Sequence, residues 1–158
     1  MRKYGRMSRA IRTVALVVGA LVAALLFAAC GESADDEYRD ELPRIDRRLV
    51  VLASDVGEGL RGAGEVDDSR LAAEFGDYAR RLGRLRAGLD ELDPPDRLAT
   101  EHAELLAAMG AVRGALADVG DAATRSDATA ARAAAVRLVR GGERLDRARR
   151  DLARASRR

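Results

Sequence analysis

Apolar residues recur at alternating intervals of four and three along most of this chain, and this spacing constrains its fold more than any other feature. Two segments keep the spacing over seven positions each, at a constant offset of 27 residues. The positions are Leu71, Phe75, Tyr78, Leu82, Leu85, Leu89 and Leu92, and then Leu98, His102, Leu105, Met109, Val112, Leu116 and Val119. Because an α-helix turns once in about 3.6 residues, each set falls on one stripe of a helix.

Two further segments show the same spacing on either side of this pair. The first contains Tyr38, Leu42, Ile45, Leu49, Leu52 and Val56, and the last contains Ala134, Leu138, Gly141, Leu145, Ala148, Leu152 and Ala155. Small residues occupy four of the seven positions in the last stripe. We therefore expect Val136 and Val139 to contribute to its buried surface.

Gly and Pro residues between the stripes mark the ends of the helices. They predict helices at about 42–61, 68–92, 94–119 and 127–156. Asp93 is the expected N-cap of the third helix, with Pro94 as its first residue, and Gly120 is its expected C-cap. Short connections make neighbouring helices antiparallel, so the prediction is an all-α, up-down-up-down four-helix bundle over residues 42–158. A coiled-coil hairpin or an oligomer has the same spacing, but the Gly and Pro loops favour closure within one chain.

The first 29 residues are organised like a secretory signal peptide. Residues 1–12, the n-region, contain five cations and no acid, and the h-region at 13–29 is uncharged and largely apolar. The uncharged run approaches the roughly 18 residues that can span a membrane. An uncleaved, single-pass signal anchor is therefore the alternative.

The only cysteine lies at the end of this run, in Leu26-Phe27-Ala28-Ala29-Cys30-Gly31. This segment resembles the lipobox of bacterial prolipoproteins, with Phe27 where Leu is usual. The resemblance implies that Cys30 becomes the N-terminus and carries a diacylglyceryl anchor of the palmitate type. Residues 30–41 would then be a polar tether, and the mature protein would lie on the extracytoplasmic face of the cell membrane.

The source of the sequence is indicated by its charged residues. Of its 28 cations 27 are Arg, and Asn and Gln are absent, a composition that we attribute to a high-GC genome. The segment Leu92-Asp93-Pro94-Pro95, followed by His102, resembles a pattern in small helical lipoproteins and secreted proteins of actinobacteria. Most such proteins have no assigned activity, so the resemblance supports the helical fold and implies no mechanism.

The side chains offer little for catalysis or metal binding. One Cys and one His cannot form a disulfide or a multi-His metal site. His102 has Glu101 and Glu104 near it, but it lies on the apolar stripe where the preceding segment has Phe75. We therefore expect a helix-lining histidine near one end of the bundle, either hydrogen-bonded or partly exposed. The acidic runs at 35–37, 67–68 and 90–93 lack the spacing of a calcium loop. We therefore predict no enzyme activity, catalytic residue, metal or cofactor.

The C-terminal segment carries the clearest charge bias. Residues 129–158 contain ten Arg and three acids. The candidate interaction face consists of Arg137, Arg140, Arg144, Arg147, Arg150 and Arg154. Its expected partner is an envelope protein or an anionic envelope polymer, because an exported chain with five aromatic residues is a poor nucleic-acid binder. The alternative is that the arginines neutralise the acidic helices beside them.

These features predict a non-enzymatic, membrane-tethered module for interaction in the cell envelope. The alternative function is a small-ligand carrier or sensor. That alternative predicts a cavity between the helices at the layers of Gly83, Gly110 and Gly141.

Overall fold

The computed structural model describes the backbone of residues 7–158 and the side chains of residues 35–158. Four helices follow one another along the chain: α1 (Met7–Gly62), α2 (Asp68–Asp90), α3 (Ala99–Thr124) and α4 (Ala128–Ala155). A 3₁₀ turn at Asp96–Leu98 precedes α3. No strand occurs among residues 7–158, so the all-α prediction is confirmed.

Side-chain contacts establish the direction of the helices. Tyr38 contacts His102 at the start of α3, and further along both helices Val56 and Val112 line one groove, so α1 and α3 run parallel. Asp46, about two turns beyond Tyr38, pairs with Arg149 near the end of α4, so α1 and α4 are antiparallel. Since α2 is joined to α1 and α3 by short connections, it runs against both. The predicted four-helix, up-down-up-down bundle is therefore what the contacts show.

The core follows the predicted stripes closely. Every position of the α3 stripe is buried, and small residues widen the buried face of this helix. These small residues are Ala108, Ala115, Ala122 and Ala123. They allow α3 to pack closely against both α2 and α4. Large side chains from the other helices complete the core, including Tyr38, Leu49, Leu52, Phe75, Leu82, Leu89, Leu138 and Leu152.

Aspartate caps begin two of the helices. Asp67 accepts a hydrogen bond from the backbone N–H of Arg70 at 2.8 Å, and α2 begins at the next residue. Asp127 accepts one from the N–H of Ala130 at 2.9 Å and precedes α4. Each carboxylate satisfies an amide that has no partner within its helix.

The predicted start of α3 at Pro94 is wrong. Neither Asp93 nor Pro94 is helical, and Pro95 precedes the 3₁₀ turn that leads into α3 at Ala99. A residue before proline is disfavoured in the helical region, so Pro95 opposes a helical conformation at Pro94. The second helix accordingly ends at Asp90 rather than at residue 92.

The predicted C-cap at Gly120 is also wrong. The helix α3 continues to Thr124, and Ser126 adopts the positive φ, 50°, in the turn that follows. Gly120 lies inside the helix where α2 comes closest. A Cβ atom at this position would lie 3.2 Å from the backbone oxygen of Ala72. The absence of a side chain therefore serves helix packing, not helix termination.

Two further expectations fail in the outer helices. Val136 and Val139 remain 47% and 56% exposed, so α4 uses only its narrow stripe. Residues 35–41, predicted as part of a tether, are helical in α1, and Tyr38 within them is buried. The Tyr38 ring is more stable packed on His102, where it is removed from water, than it would be in a solvated tether.

Candidate functional site

The predicted lipid site, Cys30, lies outside the residues whose side chains are described. The same holds for the predicted signal peptide at 1–29. Within the part of the chain with described side chains, no helix has an apolar stretch long enough to cross a membrane.

His102, the one catalytic candidate, is a buried core residue. It is 6% exposed, and its Nδ1 lies 3.0 Å from the hydroxyl of Tyr38. The two rings are 5.6 Å apart between centroids and tilted by 47°. An imidazole with its proton on Nε2 can accept the phenolic O–H at Nδ1, which satisfies both polar groups. Of the two expected states of this helix-lining histidine, hydrogen-bonded or partly exposed, the structure shows the hydrogen-bonded one.

Burial determines the titration of this pair. It lowers the pKa of His102, against a smaller opposing effect of the Asp90 charge. It also raises the pKa of Tyr38 to about 12, with a further contribution from Glu101. Both shifts favour the neutral forms at neutral pH. The pair is therefore a neutral hydrogen bond between α1 and α3.

The six predicted interaction residues on α4, the α4 arginine row, are all exposed. Three have acidic partners: Arg137 pairs with Asp118 of α3 at 2.8 Å, and Arg150 and Arg154 pair within α4. The other three form no ion pair with any acid whose side chain is described, namely Arg140, Arg144 and Arg147. Internal neutralisation thus accounts for half of the row.

An open seam separates α1 from α4. Each of the neighbouring pairs α1–α2, α2–α3 and α3–α4 packs closely, whereas the backbones of α1 and α4 make little close approach. A groove of about 330 Å³ lies in the seam, lined mainly by apolar side chains. They include Leu49, Val56 and Leu60 of α1, Val112 of α3, and Leu138 and Leu145 of α4. A second groove of about 320 Å³ continues toward Tyr38 and Leu152.

An ion pair crosses the seam between the two grooves. The guanidinium of Arg149 donates to both carboxylate oxygens of Asp46, at 2.7 and 3.1 Å. The Arg149 side chain is only 22% exposed, and its hydrogen bond to Asp46 raises its pKa. The Arg149 side chain lines both grooves, and its bidentate ion pair with Asp46 connects α4 to α1.

Open grooves lie at two of the three small-residue layers where a cavity between the helices was predicted. Gly83 lines a groove of about 540 Å³ between α2 and α3, and the seam groove is lined by Val112 and Gly142 beside Gly141. A Cβ at Gly141 would meet Val112 at 3.1 Å, so α4 packs tightly there. Gly83 and Gly110 lie beside the side chains of Arg113 and Arg86. These glycines allow close approach of helices or cover by arginine, and the seam groove opens beside the Gly141 layer, where α1 and α4 remain apart.

A groove of about 680 Å³, which the sequence did not predict, lies between α1 and α2. Five arginines line it: Arg44, Arg47 and Arg48 of α1, and Arg81 and Arg84 of α2. We call it the arginine groove. The rest of its lining is apolar and contains no acid. The available sequence signal was the run of three arginines within one turn of α1.

The predicted acidic runs lie on exposed or half-buried surface. Among the described side chains, no group of three His, Cys, Asp or Glu residues is placed to hold a metal ion. Every buried side-chain nitrogen or oxygen in that part of the chain has a hydrogen-bond partner.

Comparison with known proteins adds no relative to this description. No protein-family model matches the chain, and neither a curated protein nor a solved structure shows significant similarity to it.

Proposed function

We propose that this protein is a lipoprotein of the cell envelope, in which the bundle is a non-enzymatic interaction module. Cys30 carries the lipid and holds the module on the extracytoplasmic face of the membrane. The segment Leu26-Phe27-Ala28-Ala29-Cys30-Gly31 supports the anchor, because its cysteine ends an uncharged run that follows a basic n-region. The actinobacterial origin rests on the Arg-rich, amide-free composition.

The observation that carries the interaction role is the half of the α4 arginine row that has no acidic partner among the described side chains. Arg140, Arg144 and Arg147 lie within two turns of one helix and have no acidic partner among the described side chains. Arginine is well suited to pairing with carboxylates because its guanidinium donates two parallel hydrogen bonds. The partner that fits is an envelope protein with an acidic surface.

The test is charge reversal on the row in cells. Arg140→Glu, Arg144→Glu and Arg147→Glu together should abolish cross-linking of the module to its envelope partner. A matched control is Arg125→Glu, Arg132→Glu and Arg70→Glu, which reverses three exposed charges elsewhere. Unchanged cross-linking of the α4 variant would refute an interaction through this row.

A second function, binding of a small apolar ligand, is favoured by one observation. The seam between α1 and α4 holds two adjoining grooves lined mainly by apolar side chains. Val139→Trp, at an exposed position in the lining of the first groove, would cover the groove and should lower the affinity for an apolar fluorescent probe. Val136→Trp, at an exposed position of the same helix outside the groove lining, is the matched control. Equal probe binding by both variants would exclude the seam as a ligand site.

A further inference from the structure

We propose that the arginine groove binds a phosphate-bearing anion. The two helices contribute complementary parts of the site. Arg44, Arg47 and Arg48 lie at positions i, i+3 and i+4 of α1, and Arg81 and Arg84 lie at i and i+3 of α2. Because the sets line one groove, a single ligand can contact both helices.

The internal ion pairs leave much of this charge available. Arg44 pairs with Glu41, and Arg81 pairs with Asp55 at 2.6 Å. Neither acid lines the groove. Arg47, Arg48 and Arg84 form no ion pair within residues 35–158. Like charges one turn apart on a helix repel one another, and a bound anion would relieve this repulsion.

The chemistry of the lining favours phosphate over a simple halide. Guanidinium groups donate paired hydrogen bonds whose geometry matches phosphate oxygens. Val51, which is 56% exposed, lies in the groove with Leu52 and Leu85. These side chains give the carbon-containing part of a phosphate ester an apolar surface to cover. The α4 arginine row, by contrast, runs along a single helix and does not converge on a groove.

Lipid headgroups and free or polymeric phosphate share this chemistry. The site is independent of the α4 row and of lipidation at Cys30, so it stands or falls separately from the proposed function. Calorimetric titration of the full chain in neutral detergent micelles distinguishes the two sources. One arm adds inorganic tripolyphosphate, and the other replaces part of the detergent with phosphatidylglycerol. Ionic strength is held constant in both arms, because salt screens exposed charges.

The decisive comparison uses two variants that remove equal charge. The triple variant Arg47→Gln, Arg48→Gln and Arg84→Gln should weaken binding about tenfold or more. The loss of even one hydrogen bond from a charged group typically lowers an affinity by about that factor. Arg140→Gln, Arg144→Gln and Arg147→Gln should change binding less than about twofold. As a second variant, Val51→Glu introduces an acid into the groove and should also weaken binding. Thermal unfolding without ligand confirms that each variant is folded.

The two arms identify the source of the phosphate, and the variants test the site itself. Binding of tripolyphosphate alone identifies free or polymeric phosphate as the source, and binding of phosphatidylglycerol alone identifies a lipid headgroup. Specific loss in the groove variants supports the site in either case. Absence of binding in both arms, or equal loss in the groove and α4 variants, would overturn it.

Discussion

At the scale of single residues, the contact between Tyr38 and His102 joins α1 to α3 inside an otherwise apolar core. The hydrogen bond of 3.0 Å lets a polar imidazole occupy a position on the α3 stripe. A buried polar group without a partner is costly, so each residue depends on the other. The sequence indicated that His102 is a core residue, but it did not identify Tyr38 as its partner. That pairing depends on how α1 and α3 are aligned in the bundle.

Removing the Tyr38 hydroxyl should destabilise the protein. Tyr38→Phe leaves Nδ1 of His102 buried without its donor and should lower the free energy of unfolding by about 1–3 kcal/mol. Urea denaturation monitored by circular dichroism measures this change. The double variant Tyr38→Phe, His102→Leu should lose less than the sum of the single losses, because it removes both polar groups. Additive losses would show that the two side chains are not coupled.

Acidification should weaken the fold through His102. Its pKa is lowered by burial, so below pH of about 6.5 the unfolded chain binds a proton that the folded chain does not. This contribution to stability is present above the unfolded pKa and is lost as the pH falls through the folded pKa. His102→Gln should reduce the fall in Tm between pH 7 and pH 5 relative to wild type. An identical fall in both proteins would contradict the assignment.

At the scale of the elements, the four-three spacing predicted the buried faces well. The stripe of α3 is wholly buried, and that of α2 is buried or half-buried throughout. The interpretation of Gly120 failed because a glycine has two different uses, at a helix end and at a close helix contact. The sequence alone does not show that the backbone of α2 lies beside this residue.

The two uses of glycine can be separated within α3. Gly120→Ala places a Cβ 3.2 Å from the backbone oxygen of Ala72 and should destabilise the protein by about 1–3 kcal/mol, since the backbone of α2 must move to relieve this tight contact. Gly114→Ala meets no atom within 4 Å and should stabilise by up to about 1 kcal/mol through helix propensity. Denaturant unfolding measures both. A stabilising Gly120→Ala would show that the helices are not in close contact there.

The arginine groove also depends on the relation between two elements. In the sequence, Arg47, Arg48 and Arg84 lie between the apolar positions of their stripes, which indicates only that they face solvent. Only the packing of α1 against α2 brings them to one groove. The sequence of α4, in contrast, shows a local excess of arginine. In the structure, half of the α4 arginine row pairs with acids. Local charge density therefore predicted an exposed basic helix, and not the place where arginines converge.

At the scale of the whole molecule, the bundle is closed on three sides and open along the seam between α1 and α4. The helix α1 packs closely against α2 alone, whereas α3 packs against both its neighbours. Among the side chains that the structure describes, two polar contacts connect α1 to the helices other than α2. Arg149 of α4 pairs with Asp46, and His102 of α3 bonds with Tyr38. We therefore expect α1 to be the least protected helix.

Amide hydrogen exchange tests this order of stability. Amides in residues 42–60 should open with a free energy at least about 1 kcal/mol below that of α3. Arg149→Met should lower the protection of α1 further, while Arg137→Met, which breaks a pair between α3 and α4, should leave it unchanged. Equal protection of α1 and α3 would mean that the bundle opens as one unit despite its seam.

The central proposal is that Cys30 anchors the bundle outside the membrane, and the intact mass of membrane-extracted protein tests it most directly. Wild type should give a species that begins at Cys30 and carries added lipid mass. Cys30→Ala should lack this species, since the acylated side chain is gone. An uncleaved chain of full length in both proteins would contradict the lipoprotein proposal and identify a signal-anchored protein instead.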